Sequence, residues 1–210
     1  DEDFLWMKNY LQLDGMTYKL VPIKTEIPKD ASPLEMGGID TDKMYANVMK
    51  WDWGNSESLS IYHDPETRKN SITYRSYLSR LMNQLILEGK KEKAKNIITL
   101  AMNKMPLEQF GYYSLLEPFA KGYYDLGENA KAQDLLSKLI LKYKENLKYY
   151  SSLTPSDQTS LAIDIITDIE RYRSLLLVMK ESGDVTFYNK NKAQFNTYVS
   201  IFERFGREKE

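Results

Sequence analysis

The chain has 210 residues, 42 % of them hydrophobic, with a formal net charge of −1 and no cysteine. That composition suits one large folded domain, or a small one with an appendage. It excludes disulfides, thiolate metal sites and cysteine nucleophiles, and it offers no basic field for a nucleic-acid backbone. Residues 1–74 carry Pro22, Pro28, Pro33 and Pro65 together with Gly15, Gly37, Gly38 and Gly54, a density that breaks helices. Within this stretch Met16–Val21 is β-prone, Gly15 precedes it as a turn and Pro22 confines it to an edge. Little regular structure is expected over residues 24–39. Asp40-Thr41-Asp42 then caps a short helix running to about Met49.

From Tyr74 onward the period becomes helical. Leu78, Leu81, Met82, Leu85 and Ile86 share one helix face, and Gly89 ends that helix. Ala94, Ile97, Ile98, Ala101, Met102 and Met105 repeat the pattern up to Pro106. Leu115, Leu116, Phe119, Ala120 and Tyr123 form a third helix closed by Gly127, with Pro118 in its first turn or at a kink. Ala132, Leu135, Leu136, Leu139, Ile140, Tyr143 and Leu147 make a fourth. Thr154-Pro155 starts another, with Leu161, Ala162, Ile165, Ile166, Ile169, Tyr172 and Leu176 as its face and Gly183 as its end. Asp184 caps the last, whose apolar face is Phe187, Phe195, Tyr198, Val199 and Phe202, with Gly206 at its end. The expected organisation is an irregular N-terminal segment over 1–74 and a helical domain over 75–210, with hairpins at 75–106, 113–150 and 155–206.

Two of these hairpins are copies of one pattern. Gly89 and Gly127 lie 127 − 89 = 38 residues apart. In that register Ala94 falls on Ala132, Ile98 on Leu136 and Leu85 on Tyr123. A turn glycine followed five positions on by a small residue resembles the tetratricopeptide repeat, in which only a small side chain lets two helices approach closely. Leu139 and Lys144 depart from that pattern, where a small residue and proline are usual. The last hairpin has Tyr188 at the small position and reads as a divergent cap. The fold class is therefore mostly α: TPR-like antiparallel hairpins, a right-handed solenoid fragment, with an irregular N-terminal segment carrying a short β-strand.

A further resemblance covers the first 85 residues. Tyr10-Leu11, the run Asp14–Ile23, Gly38–Tyr45, Trp53-Gly54-Asn55, Tyr62-His63-Asp64 and the helical start around Tyr74-Arg75 and Leu81 occur in that order. They resemble a bacterial family of large multi-span membrane proteins of uncharacterised function that are themselves similar to protein O-mannosyltransferases. His63 departs from the pattern, where an aliphatic residue is expected. The resemblance implies a region that follows the membrane spans and lies outside the membrane, on the periplasmic side. The acidic catalytic residues of such transferases sit near the spans, so none carries over. In keeping with an internal piece, there is no initiator Met, Asp1-Glu2-Asp3 has no signal-peptide pattern, and Phe4, Leu5, Trp6, Met7 and Tyr10 read as continuing something longer.

No residue presents itself as catalytic. His63 is the only histidine and lies in a polar, turn-like context before Pro65. Asp40, Asp42, Asp52 and Asp64 lack EF-hand spacing, Gly37-Gly38 lacks the Lys-Ser/Thr of a phosphate loop, and Lys90-Lys91-Glu92-Lys93 reads as a solvated turn. No cofactor, metal or nucleic acid is expected, and no apolar run approaches the roughly 20 residues that span a bilayer. Trp51 and Trp53 beside Gly54 are expected to pack the N-terminal segment onto the helices; the alternative is that they stack on a sugar or lipid-linked substrate. In TPR-like hairpins the first helix of each pair lines a concave face. That register places Asn83, Ile86 and Leu87 from one copy, and Lys121, Tyr124 and Asp125 from the next, in a groove suited to an extended peptide or protein partner, unless helices of the N-terminal segment or the last hairpin fill it from within. A chaperone-type carboxylate clamp does not fit, because Pro118 takes the position of its polar contact. The expected function is a non-catalytic extracytoplasmic accessory domain of a membrane-embedded glycosyltransferase-like protein. The alternatives are a free-standing TPR adaptor and a carbohydrate-binding or hydrolytic domain.

Overall fold

The computed structural model describes residues 5–27 and 34–206. Phe4, Pro28 and Pro33, used above, lie outside the described residues. The chain is mostly helical, with one small sheet near its start. The strands are β1 (Leu11–Asp14), β2 (Thr17–Leu20) and β3 (Gly38–Ile39); the helices are α1 (Thr41–Val48), α2 (Pro65–Leu87), α3 (Lys91–Lys104), α4 (Leu107–Phe110), α5 (Glu117–Asp125), α6 (Asn129–Ser151), α7 (Pro155–Ser160), α8 (Ala162–Glu181), α9 (Val185–Ile201) and α10 (Glu203–Gly206). Two compact units result, Asp1–Gly122 and Tyr123–Glu210, and the division falls inside α5.

In the first unit the sheet order is β2-β1-β3. β1 pairs antiparallel with β2 across the Gly15 turn, and parallel with β3 through Gln12↔Gly38 and Leu13↔Ile39. Leu11 and Leu13 alternate inward, as a half-buried strand requires. Gly37 is needed for this closure, because its φ is +75° and a Cβ there would sit 2.7 Å from the Leu11 carbonyl oxygen. β2 falls within the strand expected at 16–21. β1 and β3 are additions, and β3 lies in the stretch expected to be irregular. α1 starts as its cap signal predicts: the Asp40 side chain accepts the Lys43 N–H.

α2 begins at Pro65, nine residues before Tyr74. Asp64 accepts the backbone N–H groups of Glu66 and Thr67, and Pro65 takes the first position, where its missing N–H costs nothing. Leu78, Leu81, Met82 and Leu85 are wholly buried, each worth roughly 1.5–3 kcal/mol relative to exposure. α2 packs along α3, with α1 and α4 also against it.

In the second unit α6 packs on α8, and α8 on α9. The long helix expected from Pro155 is divided at Leu161 into α7 and α8. One turn design closes three helices. Lys90, Glu128 and Asp184 N–H groups donate to the Leu85, Tyr123 and Met179 carbonyls, while Gly89, Gly127 and Gly183 donate to Ile86, Tyr124 and Lys180. The three glycines have φ of 73°, 78° and 76°. This paired bonding needs a left-handed residue, which glycine adopts without a Cβ penalty.

Candidate functional site

Between α1 and α2 the chain runs through residues 49–64, which fold back over the first half of α2. Asp52 Oδ1 accepts the Gly54 N–H at 2.9 Å and closes a tight turn. Ser56 donates to the Lys104 carbonyl at 2.7 Å, Gln109 donates to the Ser58 carbonyl at 2.7 Å, and Lys104 pairs with Glu57 at 2.5 Å. These bonds fasten the loop to the C-terminal end of α3 and to α4.

The fastened loop sets three rings in a triangle. Centroids are 5.6 Å apart for Trp51 and Trp53, 5.4 Å for Trp51 and Tyr74, and 5.5 Å for Trp53 and Tyr74. Trp51 also seats against Gly15, where a Cβ would meet its ring at 3.3 Å. Trp51 thus packs on the sheet's hairpin turn. Trp53 has a different position, lining a cavity of about 210 Å³ with Tyr74, Phe110, His63, Asp52 and Asn70. His63 stacks on Phe110 at 4.6 Å and its Nε2 lies 2.8 Å from the Ser56 carbonyl.

Arg75, one residue after Tyr74 on α2, is wholly buried. Its Nη1 donates to the Gly111 carbonyl at 2.5 Å and its Nη2 to Met105 at 2.8 Å, while its Nε has no partner. Burial lowers its pKa to about 10, so the guanidinium is charged at neutral pH. It buckles the loop after α3 onto α2 through main-chain carbonyls rather than a carboxylate.

The groove residues divide. Asn83, Leu87, Lys121 and Asp125 are exposed and Ile86 is half-buried. Tyr124 is withdrawn: it is 9 % exposed, and its hydroxyl donates to Asp184 at 2.8 Å. Asp184 also accepts from Gln133 at 2.7 Å and caps α9 through the Phe187 N–H. Tyr124 is a structural residue of the second unit and not a face for a peptide.

The carboxylates considered for calcium serve other ends. Asp40 and Asp64 cap helices. Asp42 is bridged by Lys90 and Lys93 at 2.8 and 2.7 Å, which hold its pKa at about 2. Among the described residues no group of three His, Cys, Asp or Glu is placed to hold a metal ion.

A family model described as TMEM260-associated domain 2 matches residues 1–43. That match fits a TMEM260-like, O-mannosyltransferase-like membrane protein family, and it covers the sheet and the start of α1 without reaching the helical hairpins. Among curated proteins and solved structures nothing matches the chain. No helix among the described residues is long and apolar enough to cross a membrane.

Proposed function

We propose that the chain is a non-catalytic, extracytoplasmic accessory domain of a membrane-embedded glycosyltransferase-like protein, on the periplasmic side of a multi-span bacterial parent. The observation that carries this is the joining of the family-matched segment to the helices. Arg80, on α2, donates to the carbonyls of Leu34 and Gly37 at 2.9 Å each and to the Tyr18 hydroxyl at 3.1 Å. The matched stretch and the first helical hairpin therefore form one folded unit, and what applies to one applies to the other.

The same segment offers a docking face. Trp6, Leu20 and Ile23 are 78 %, 62 % and 69 % exposed. Trp6, Met7, Tyr10, Leu20, Val21 and Pro22 line a hollow that is almost entirely apolar. Contiguous exposed apolar surface of this kind marks interaction sites, and the partner in this reading is the membrane part of the parent. A parent protein lacking residues 1–206, so that neither unit is left in part, tests the role. It is expected to keep turnover of its sugar donor and to lose transfer to its protein acceptor. Undiminished transfer would overturn the proposal, as would donor turnover by the isolated 210-residue chain.

A further inference from the structure

We infer that the cavity between the 49–64 loop and α2 binds a single neutral pyranose ring, such as the terminal residue of a glycan. The inference stands on the cavity alone and does not rest on the accessory-domain proposal. Four aromatic residues line it: Trp53 and Tyr74, with His63 stacked on Phe110. Flat, rigid aromatic faces offer apolar area at little entropic cost, and the C–H face of a pyranose is a flat apolar partner. A wholly apolar ligand would suit those walls but not the polar groups among them.

The polar groups are the more telling half. The Trp53 indole Nε1 is buried and has no acceptor. The Asn70 side chain and the Tyr74 hydroxyl make no hydrogen bond among the described residues. A buried polar atom without a partner is rare in folded proteins and calls for a specific explanation. The exposed Asn70 amide and the half-buried Tyr74 line the same hollow, so that with the buried indole N–H the site offers donors and acceptors. Vicinal hydroxyls, each both donor and acceptor, can satisfy them all. Asp52 adds a carboxylate whose Oδ1 alone is engaged, by Gly54.

The same inventory disfavours other ligands. No Lys or Arg lines the cavity and Asp52 does, so an anion is repelled. Arg75, one residue after Tyr74, has its Nη groups committed to Met105 and Gly111. At about 210 Å³ the space is below the roughly 300–1,000 Å³ of pockets for drug-sized ligands, which fits one ring rather than an extended peptide.

The test uses the 210-residue chain and three methyl pyranosides, of mannose, glucose and galactose, which differ at C2 and C4. Saturation-transfer NMR is expected to show transfer to the ring C–H protons of at least one, with a matching change in tryptophan fluorescence. Trp53→Phe keeps one aromatic ring and removes the N–H with the five-membered half of the indole; Asn70→Ala removes an exposed amide. Each is expected to weaken that binding about 3- to 10-fold, the effect of one lost hydrogen bond, with unchanged melting temperature. Asn70→Ala changes only a surface residue, so it keeps the test decisive if Trp53→Phe disturbs the fold. Absence of transfer from all three sugars would overturn the inference. So would transfer unaffected by Asn70→Ala, or equal transfer to glycerol or a glycyl dipeptide.

Discussion

Arg80 Nη2 lies 2.9 Å from the carbonyl oxygen of Gly37, 43 residues earlier in the chain. Gly37 is the residue whose missing side chain lets β3 close against β1, so one guanidinium holds the sheet where it meets α2. Charge-assisted bonds of this kind contribute about 1.5–3 kcal/mol each in favourable cases, and partial exposure of Arg80 lowers that. Arg80→Ala is expected to cost about 2–4 kcal/mol in denaturant unfolding and to raise exchange of the β1 amides. Arg80→Lys, which cannot span all three acceptors, should recover less than half. A variant with wild-type stability would detach the sheet from the helical hairpin.

Close helix approach in the first unit depends on absent atoms. A Cβ on Gly122 would meet Met82 Sδ at 2.4 Å and Ile98 Cδ1 at 3.3 Å, and Met82 and Ala94 are wholly buried. Gly122→Ala is expected to cost about 1–3 kcal/mol by overpacking, more than the roughly 1 kcal/mol that alanine gains in helix propensity. Ala94→Leu should cost a similar 1–3 kcal/mol. Thermal melts check both. Adding Met82→Ala to Gly122→Ala should give a cycle well short of additive, because the two side chains compete for one space.

Two carboxylates of the second unit set opposite pH dependences. Burial alone would raise Asp184, yet bonds from Gln133, Tyr124 and the Phe187 N–H outweigh it and hold its pKa below the ordinary 3.8. Its contribution is present above pH 3.8 and is lost as pH falls through its folded value. Burial pushes Asp168 above 3.8, against the Asn146 bond that lowers it. That term favours folding below pH 3.8 and is lost as pH rises through the folded value. Tyr124→Phe is expected to cost about 1 kcal/mol at neutral pH and to flatten the acid limb. Asp168→Asn should flatten the decline just above pH 3.8. Urea unfolding across pH 2.5–6 (about that span, by the usual carboxylate range) reads both slopes, and an unchanged profile in either variant contradicts its assignment.

The helices were legible because their signals are local. Apolar residues at helical spacing and the glycines at 89, 127 and 183 mark both faces and ends. Asp64-Pro65 carries the same start signal as Thr154-Pro155, but the apolar period becomes visible only from Tyr74, since the turns of α2 before it carry few apolar residues. β1 was missed although Leu11 and Leu13 alternate, because four residues give a weak period. Tyr124 was misplaced for a different reason. Its partner Asp184 is 60 residues away, and a repeat register predicts which face a residue occupies without saying what covers it. Arg75 and Arg80 left no trace as site builders, because their acceptors are main-chain carbonyls and, for Arg80, also a tyrosine hydroxyl 62 residues away. The split of the tryptophan pair, Trp51 into packing and Trp53 onto the cavity, depends on Gly15 and could not be read from neighbouring positions.

The apolar hollow near the start of the chain makes its own prediction. Trp6→Ser with Leu20→Ser changes residues that are 78 % and 62 % exposed, so the melting temperature should move little, as surface substitutions usually stay within about 0.5 kcal/mol. Co-purification of the 210-residue chain with the membrane part of its parent should fall sharply. Co-purification at wild-type level would remove this face from the docking surface.

The most direct test of the accessory-domain account is where these residues reside in the cell. An antibody against residues 75–206 should detect a polypeptide far larger than 210 residues. That polypeptide should stay in the membrane fraction after carbonate washing and be cleaved within this region when protease is added to the periplasmic side of spheroplasts. A 210-residue species in the soluble fraction, or protection of the region until the inner membrane is opened, would contradict the account.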